Sequence, residues 1–254
     1  MNFIVLNLRK SIHFIWMENI ITQSFIDLGH TRCPTINDSE LVLAIRYGGK
    51  GKRDRIERQP NKKYILFQTE QISNVPERVS KAYRSFPSDQ IWGFDIDNKR
   101  EVYTPLGYHP SCVRDFQVTP DIDVSFLGVN TIRREAYFNS TAQKVHLFQT
   151  WDIDERIRMF KRSKINLNIH AYSEGNFTQW ERISHFLSNK CFFISENMYC
   201  DLPVVKCPLS EISSNIDKYL HNDQARLEIT EKLYNDYVTN FDMRKIIDTN
   251  LRRL

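Results

Sequence analysis

Four polar side chains in the stretch from 164 to 196 could form a binding or catalytic site. The stretch has the pattern of a buried strand, a polar loop, a helix and a second buried strand. His170 follows the first strand, and Glu196 follows the second. Gln179 and Arg182 lie where the helix begins. Carboxyl ends of parallel strands and N-termini of the following helices meet at one sheet edge, so we expect an anion-binding ligand site there.

Each of these residue types suggests a role. His170 is a candidate general base, because an imidazole can accept a proton near neutral pH. Glu196 could accept hydrogen bonds from sugar hydroxyls. Arg182 could pair with phosphate oxygens. A hydrogen-bonded structural role is the alternative for His170, and the sequence does not decide between the two.

A second candidate loop, Phe126-Leu127-Gly128-Val129-Asn130-Thr131, follows another predicted strand and leads into Arg133 and Arg134. Gly128 permits a tight backbone turn. Either Asn130 or Thr131 can cap the helix that follows. The free N–H groups of the helix start, together with the two guanidinium groups, predict a phosphate site. The loop matches neither the three-glycine dinucleotide fingerprint nor the Walker lysine pattern.

The first half of the chain offers a carboxylate and a basic segment. Glu70 follows a predicted strand and could serve as a general base. The segment from Arg46 to Lys63 holds eight basic and two acidic residues. Within it, Lys50, Lys52 and Arg53 are candidates to contact an anionic acceptor, with a solvated loop as the alternative.

Paired aspartates could bind a divalent cation that bridges a diphosphate. Of three Asp-Ile-Asp triplets, only Asp95 and Asp97 follow a strand-like run. The histidines show no zinc-binding spacing, and we expect no metal centre.

Strands and helices alternate along the chain, which predicts an α/β protein with two Rossmann-like domains facing a cleft, completed by C-terminal closing helices. Three prolines and a weaker pattern between 104 and 120 mark the junction. We predict one domain at 1–107, an interdomain segment at 108–120, a second domain at 121–238 and a final helix at 239–254. The predicted strands begin near Phe3, Leu41, Tyr64, Ile91, Val102, Val124, Lys144, Ile165, Cys191 and Val204.

Composition is that of an ordinary globular protein of 254 residues with a net charge of +4. No run approaches the roughly 20 apolar residues of a membrane span. Five cysteines without CxxC spacing favour a reduced, cytoplasmic protein, in the host cytoplasm if the source is a virus. The composition indicates no oligomeric state.

The residues quoted above resemble a known family. The run from Ser163 to Glu196 and the loop FLGVNTIRRE are similar to the donor-binding half of spore-maturation (CgeB-type) proteins, within the GT-B glycosyltransferases. YILFQTEQI and TPLGYHP resemble first-half and interdomain segments of these relatives. The matches cover most of the chain as short patches.

The resemblance implies that 1–107 is an acceptor-binding domain and that 121–238 is a nucleotide-sugar-binding domain. The donor site would hold a nucleotide-diphosphate sugar, such as a UDP-sugar, without a catalytic metal or resident cofactor. Carried over by position, Arg133, Arg134 and Arg182 would contact the diphosphate, Glu196 the ribose or sugar, and His109 the donor. Gly128, Asn130 and Gln179 complete the predicted donor site. The chain departs from the family pattern at one pair of residues. Retaining relatives have two glutamates eight positions apart, whereas Glu174 and Glu181 are seven positions apart.

We therefore hypothesise a glycosyltransferase that transfers a sugar to the hydroxyl of a glycan or nucleic-acid acceptor. One alternative is a metal-dependent, single-Rossmann (GT-A) transferase using Asp95 and Asp97. Another is a non-enzymatic protein that binds nucleic acid or an anionic glycan through residues 46–63.

Overall fold

The computed structural model describes residues 1–7, 14–46, 56–69, 76–172 and 178–254. The chain divides into two compact units. Unit 1 comprises residues Met1–Ser111 and Phe241–Leu254, and unit 2 comprises Cys112–Asn240. Each unit contains one fully parallel sheet, as the alternation of strand and helix patterns predicts.

The sheet of unit 1 has the strand order β2-β1-β3-β4-β5-β6. Its strands are β1 (Asn2–Asn7), β2 (Thr31–Arg32), β3 (Leu41–Arg46), β4 (Lys63–Gln68), β5 (Gln90–Gly93) and β6 (Val102–Tyr103). Its helices are α1 (Ile15–Asp27), α2 (Pro76–Ser85) and, from the end of the chain, α8 (Met243–Leu251). The two-residue β2 is absent from the sequence-based prediction, because so short a strand carries no periodicity.

The sheet of unit 2 has the order β11-β10-β9-β7-β8. Its strands are β7 (Ile122–Leu127), β8 (Val145–Phe148), β9 (Ser163–Asn168), β10 (Phe193–Glu196) and β11 (Val205–Cys207). Its helices are α3 (Ile132–Ser140), α4 (Ile153–Arg162), α5 (Trp180–Ser188), α6 (Ile212–Leu220) and α7 (Asp223–Asn240).

The core of unit 2 explains why its strands are nearly continuous apolar runs: helices cover both faces of the sheet. On one face, Phe126, Leu167 and Ile194 pack with residues of α3 and α6. On the other, the Phe186 ring lies 4.6 Å from the Phe160 ring and 5.0 Å from the Phe193 ring, centroid to centroid. Burial of these rings contributes most of the hydrophobic stabilisation of the face on which α4 and α5 lie.

Local signals set the helix starts. Thr131 caps α3 by accepting a hydrogen bond from the Arg134 N–H, which decides between the two predicted caps. Asp152 caps α4 by accepting a hydrogen bond from the Glu155 N–H at 2.7 Å. Helix α5 begins at Trp180, with Gln179 at its N-cap and Arg182 in its first turn.

The final helix α8 belongs to unit 1. The backbone of Tyr108 accepts from Met243 N–H at 2.9 Å and donates to the Phe241 carbonyl at 2.6 Å. The Asn250 amide donates to the Thr104 hydroxyl at 2.9 Å. These bonds hold the C-terminal segment against the residues that follow β6.

The five cysteines are buried and form no disulfide. Among the helices that the structure describes, none is both long and apolar enough to cross a bilayer.

Candidate functional site

The topology of unit 2 singles out one position on its sheet. The first strand of the unit, β7, lies between the second and third, β8 and β9, so successive connections leave β7 and β9 in opposite directions. In open α/β sheets, ligands bind at the carboxyl ends of the strands at such a switch point. The two segments at this point are 128–131, after β7, and 169–172, after β9.

Arg134 crosses from α3 to the segment after β9. Its Nη2 donates to the Ile169 carbonyl at 2.7 Å, and its Nη1 donates to the Val129 carbonyl at 2.8 Å. The side chain is 4% exposed, and burial, with the charge of Arg133 second, lowers its pKa to about 10. The guanidinium therefore joins both segments of the switch point.

Arg182 reaches the same place from the first turn of α5. Its Nη1 donates to the Asn168 side-chain oxygen at 2.8 Å and to the Gln179 side-chain oxygen at 2.6 Å. Burial, followed by the charges of Arg134 and Arg156, lowers the pKa of Arg182 well below its ordinary value. Gln179 thus acts in the site as an acceptor that orients Arg182.

The two guanidinium groups contact the same aromatic ring. The Cζ atoms of Arg134 and Arg182 lie 4.9 Å and 5.1 Å from the centroid of the Phe126 ring. Cation–π attraction to one ring helps to hold two like charges close together. Neither arginine has a carboxylate within ion-pair distance among the described residues. The site thus presents two positive charges that no ion pair neutralises.

Gly128 is required where the chain passes Arg182. Its φ is +146°, which side chains rarely adopt, and a Cβ atom there would lie 2.9 Å from Arg182 Nη2 and 3.3 Å from the Phe126 ring. The predicted role of Gly128 was a tight turn. The structure adds a second reason, which is the close approach of the guanidinium to the backbone.

Arg133 and Glu196 form an ion pair beside these charges. Arg133 Nη1 donates to Glu196 Oε2 at 2.9 Å, and Nη2 donates to Oε1. Glu196 Oε2 also accepts from the His170 backbone N–H at 3.0 Å, and Arg133 Nη1 donates to the His170 carbonyl at 3.0 Å. Both residues were predicted at this edge, and they meet each other there.

The His170 side chain is buried and neutral at neutral pH. Its Nε2 lies 2.8 Å from the Asn197 carbonyl, so Nε2 carries the proton and donates it, leaving a lone pair on Nδ1. Burial lowers the pKa of His170, and a hydrogen bond to that carbonyl opposes this effect. A neutral imidazole with a lone pair can accept a proton.

The remaining predicted donor residues take separate positions. Asn130 is exposed in the loop after β7. His109 lies in unit 1, where its Nε2 donates to Asp27 at 3.1 Å and its Nδ1 accepts from the Ser111 N–H at 3.1 Å. These bonds occupy both ring nitrogens of His109. Glu70, Glu174, Lys50, Lys52 and Arg53 lie outside the described residues.

The paired aspartates do not form a recognisable metal centre. Asp95 follows β5, as predicted, and its Oδ1 accepts from the Asp97 N–H at 3.2 Å, which makes it part of a turn. Within the described ranges, no group of three or more His, Cys, Asp or Glu side chains is arranged to hold a metal ion.

Two contributors were missed from the sequence. Phe126 was included in the second candidate loop without a role of its own. Arg156 was not considered, although its Nη2 donates to the Thr150 carbonyl at 3.0 Å and its Nη1 lies 3.3 Å from His185 Nε2. An aromatic residue two positions before the loop glycine was the available signal for Phe126. No sequence pattern distinguishes Arg156 from a surface arginine.

Comparison with known proteins supports the fold. No protein-family model matches the chain, and no curated protein matches it. Among solved structures, T4 phage BGT in complex with UDP and Mn²⁺ is 9% identical, with a TM-score of 0.64 over 98% of this chain and 97% of that one. An α-glucosyltransferase in complex with UDP and a 13-mer DNA is 9% identical, with a TM-score of 0.64 over 94% of both chains.

An α1,3-fucosyltransferase is 14% identical, with a TM-score of 0.52 over 92% of this chain and 80% of that one. The chain therefore shares the GT-B fold of these structures, which confirms the predicted fold class of two parallel α/β sheets. The same two sheets rule out the single-Rossmann alternative, which requires one.

Proposed function

We propose that this protein is a glycosyltransferase whose donor is a nucleotide-diphosphate sugar bound by unit 2. One observation carries the proposal: Arg134 and Arg182 contact the Phe126 ring at the switch point and have no ion-pair partner among the described residues. Buried charge is costly unless a counter-charge is present. A diphosphate supplies that counter-charge, and guanidinium groups pair well with phosphate oxygens.

The same pair of charges fits the chemistry of sugar transfer. As the bond between the anomeric carbon and the diphosphate oxygen breaks, negative charge develops on the leaving diphosphate. Arginines fixed by Ile169, Val129 and Asn168 would stabilise that charge without reorganising. They would supply positive charge that a divalent cation supplies in other transferases, and we propose that no catalytic metal is needed.

For the acceptor, we propose His170 as the general base. The acceptor hydroxyl would give its proton to the Nδ1 lone pair while its oxygen bonds to the anomeric carbon, the course of an inverting transfer. The lowered pKa keeps this imidazole unprotonated at neutral pH, although it also weakens the base. Glu70 stays a second predicted base outside the described residues.

Glu196 is proposed to accept from the ribose hydroxyls of the donor. Its carboxylate is held by three donors, two from Arg133 and one from the His170 backbone. A carboxylate has about four lone-pair sites, so one position stays open for a hydroxyl. We assign Arg133 the positioning of Glu196 in place of its predicted contact with the diphosphate.

UDP is the nucleotide we propose, because several structures that share the fold contain UDP. We propose a nucleic-acid acceptor on two grounds. One such structure contains a 13-mer DNA, and the segment from Arg46 to Lys63 carries an excess of positive charge. A cytoplasmic location and a specific relationship to the CgeB-type proteins also stay as proposals.

The test is calorimetric titration of the full chain with UDP and with UDP-glucose, before and after EDTA treatment. Binding in the micromolar range that is unchanged by EDTA and lost in Arg134→Met and Arg182→Met would support the donor site. Arg162→Met serves as the control, because it removes a half-exposed arginine that pairs with Asp121. A folded protein that binds no nucleotide sugar would refute the proposal.

A further inference from the structure

A pocket of about 700 Å³ lies beside the first strand of unit 1. Among the described residues, its walls include Ile15 and Glu18 of α1, Arg32 of β2, Pro34 after β2, and residues 4–7 of β1. The volume is within the range of small-molecule sites. Glu18 and Arg32 pair with each other at 3.2 Å, so the pocket has no unpaired charge between them.

The pocket exposes an open strand edge. β3 pairs with β1 from Phe3 to Asn7, whereas β2 pairs only with Asn2 and Phe3. The last bond on the β2 side is from the Cys33 N–H to the Phe3 carbonyl at 2.7 Å. Pro34 then has no N–H with which to continue the ladder.

The N–H and C=O groups of successive residues in a strand point to opposite edges. This alternation identifies which backbone groups of β1 lack a partner on the β2 side. Because Phe3 bonds toward β2, the next residue whose N–H and C=O point to that side is Val5. Among the residues that the structure describes, none forms a hydrogen bond with either group of Val5. Val5 thus has one donor and one acceptor side by side, in a pocket whose walls combine Ile15 with the ion pair of Glu18 and Arg32.

We propose that this pocket binds a nucleobase of the acceptor through the backbone of Val5. The Watson–Crick edge of a base places a donor next to an acceptor, which complements the N–H and C=O of one extended residue, and enzymes that modify bases hold an extruded base in such a pocket. Ile15 would cover one face of the ring. The inference rests on the proposed transferase function for the identity of its ligand.

The experiment titrates the full chain with thymidine and with N3-methylthymidine, whose donor is blocked, in saturating UDP so that the donor site is filled. Thymidine should bind at least 10-fold more tightly than its methylated analogue. Ile15→Trp, which fills the pocket, should weaken thymidine binding at least 10-fold. Ile26→Trp on the same helix, where the side chain is also exposed and does not line the pocket, should leave it unchanged.

Equal affinity for the two nucleosides, or thymidine binding that survives Ile15→Trp, would overturn the proposal. Val5→Pro gives a second variant. It removes the outward N–H together with the buried valine side chain, and a variant that still folds and binds UDP should lose thymidine binding. A single-stranded oligothymidylate, titrated in parallel, shows whether a base within a strand binds as tightly as the free nucleoside. The UDP titration of the same samples tests the donor site. A failure of the proposed function, seen as absent UDP binding, is therefore distinguishable from absent thymidine binding in this pocket.

Discussion

Arg133 and Glu196 face each other in a two-pronged ion pair at the carboxyl edge of unit 2, with side chains 22% and 12% exposed. The pair links the start of α3 to the end of β10, and through the His170 backbone it also reaches the segment after β9. Such a pair is costly to break singly, because the remaining partner keeps its charge without compensation.

Removing one partner of this ion pair should therefore destabilise the folded protein more than removing both partners. We expect Arg133→Met to lower the free energy of unfolding by about 2 kcal/mol, and Arg133→Met with Glu196→Gln to recover about half of that loss. Urea denaturation of the two single variants and the double variant measures the coupling. Additive losses would show that the two side chains act independently.

Gly128→Ala tests whether the backbone must stay clear of Arg182. A Cβ atom there would lie 2.9 Å from Arg182 Nη2, so the guanidinium must shift, and we expect UDP affinity to fall about 10-fold. Gly29→Ala is the matched control, because Gly29 also has a positive φ, of +82°, and a Cβ atom there meets nothing within 4 Å. Both variants should lose about 1 kcal/mol of stability from backbone strain. Equal UDP binding by both would contradict the proposed geometry.

Arg182→Met should separate ligand binding from stability. The partly buried cation has no ion-pair partner among the described residues, so its removal should cost binding but leave the melting temperature the same or higher. In the presence of 100 Kd of UDP, the wild-type protein should gain about 2.7 kcal/mol of stability and the variant much less. A variant that melts far below the wild type without ligand would show that Arg182 is mainly structural.

The fold could be predicted because its signals are local. The strand of Ile165 to Asn168, for example, is an apolar run bounded by a polar loop, and its burial on both faces follows from that pattern. The order of the strands within the sheet is not encoded locally. The position of β7 between β8 and β9, for example, depends on the handedness of the crossover connections.

The site was only partly predictable for a related reason. Arg134, Arg182 and Glu196 could be placed at one sheet edge from their positions after strands. Whether Arg133 would bind a ligand or pair with Glu196 depends on side-chain directions that the spacing does not contain. His109 shows the same limit, since its partner Asp27 lies 82 positions away.

Glu101 gives a stability prediction that is independent of function. Burial raises its pKa from 4.5 to about 7, and the Tyr83 hydroxyl and the Asn98 amide donate to its Oε1. Because the folded-state pKa lies above the unfolded one, stability is fully present below about pH 4.5 and falls as pH rises to about 7.

Glu101→Gln should therefore raise the free energy of unfolding at pH 8 by about 2 kcal/mol and change it little at pH 4.5. Thermal denaturation across this range measures the difference. Asp97→Asn, at an exposed position nearby, is the control. A gain of the same size at both pH values would show that the effect is not one of ionisation.

His170→Gln tests the proposed general base. The glutamine amide can place its Nε2 where the imidazole Nε2 donates to the Asn197 carbonyl, but it cannot take up a proton, so we expect kcat to fall about 100-fold while the Kd for UDP stays within about 2-fold. Because burial lowers the pKa of His170, the acidic limb of the wild-type kcat profile should lie below pH 6.5 and should disappear in the variant. His146→Gln, on the exposed side of β8, should change neither rate nor profile. A variant with wild-type kcat, or one that keeps the acidic limb, would transfer the role of base to another group such as Glu70.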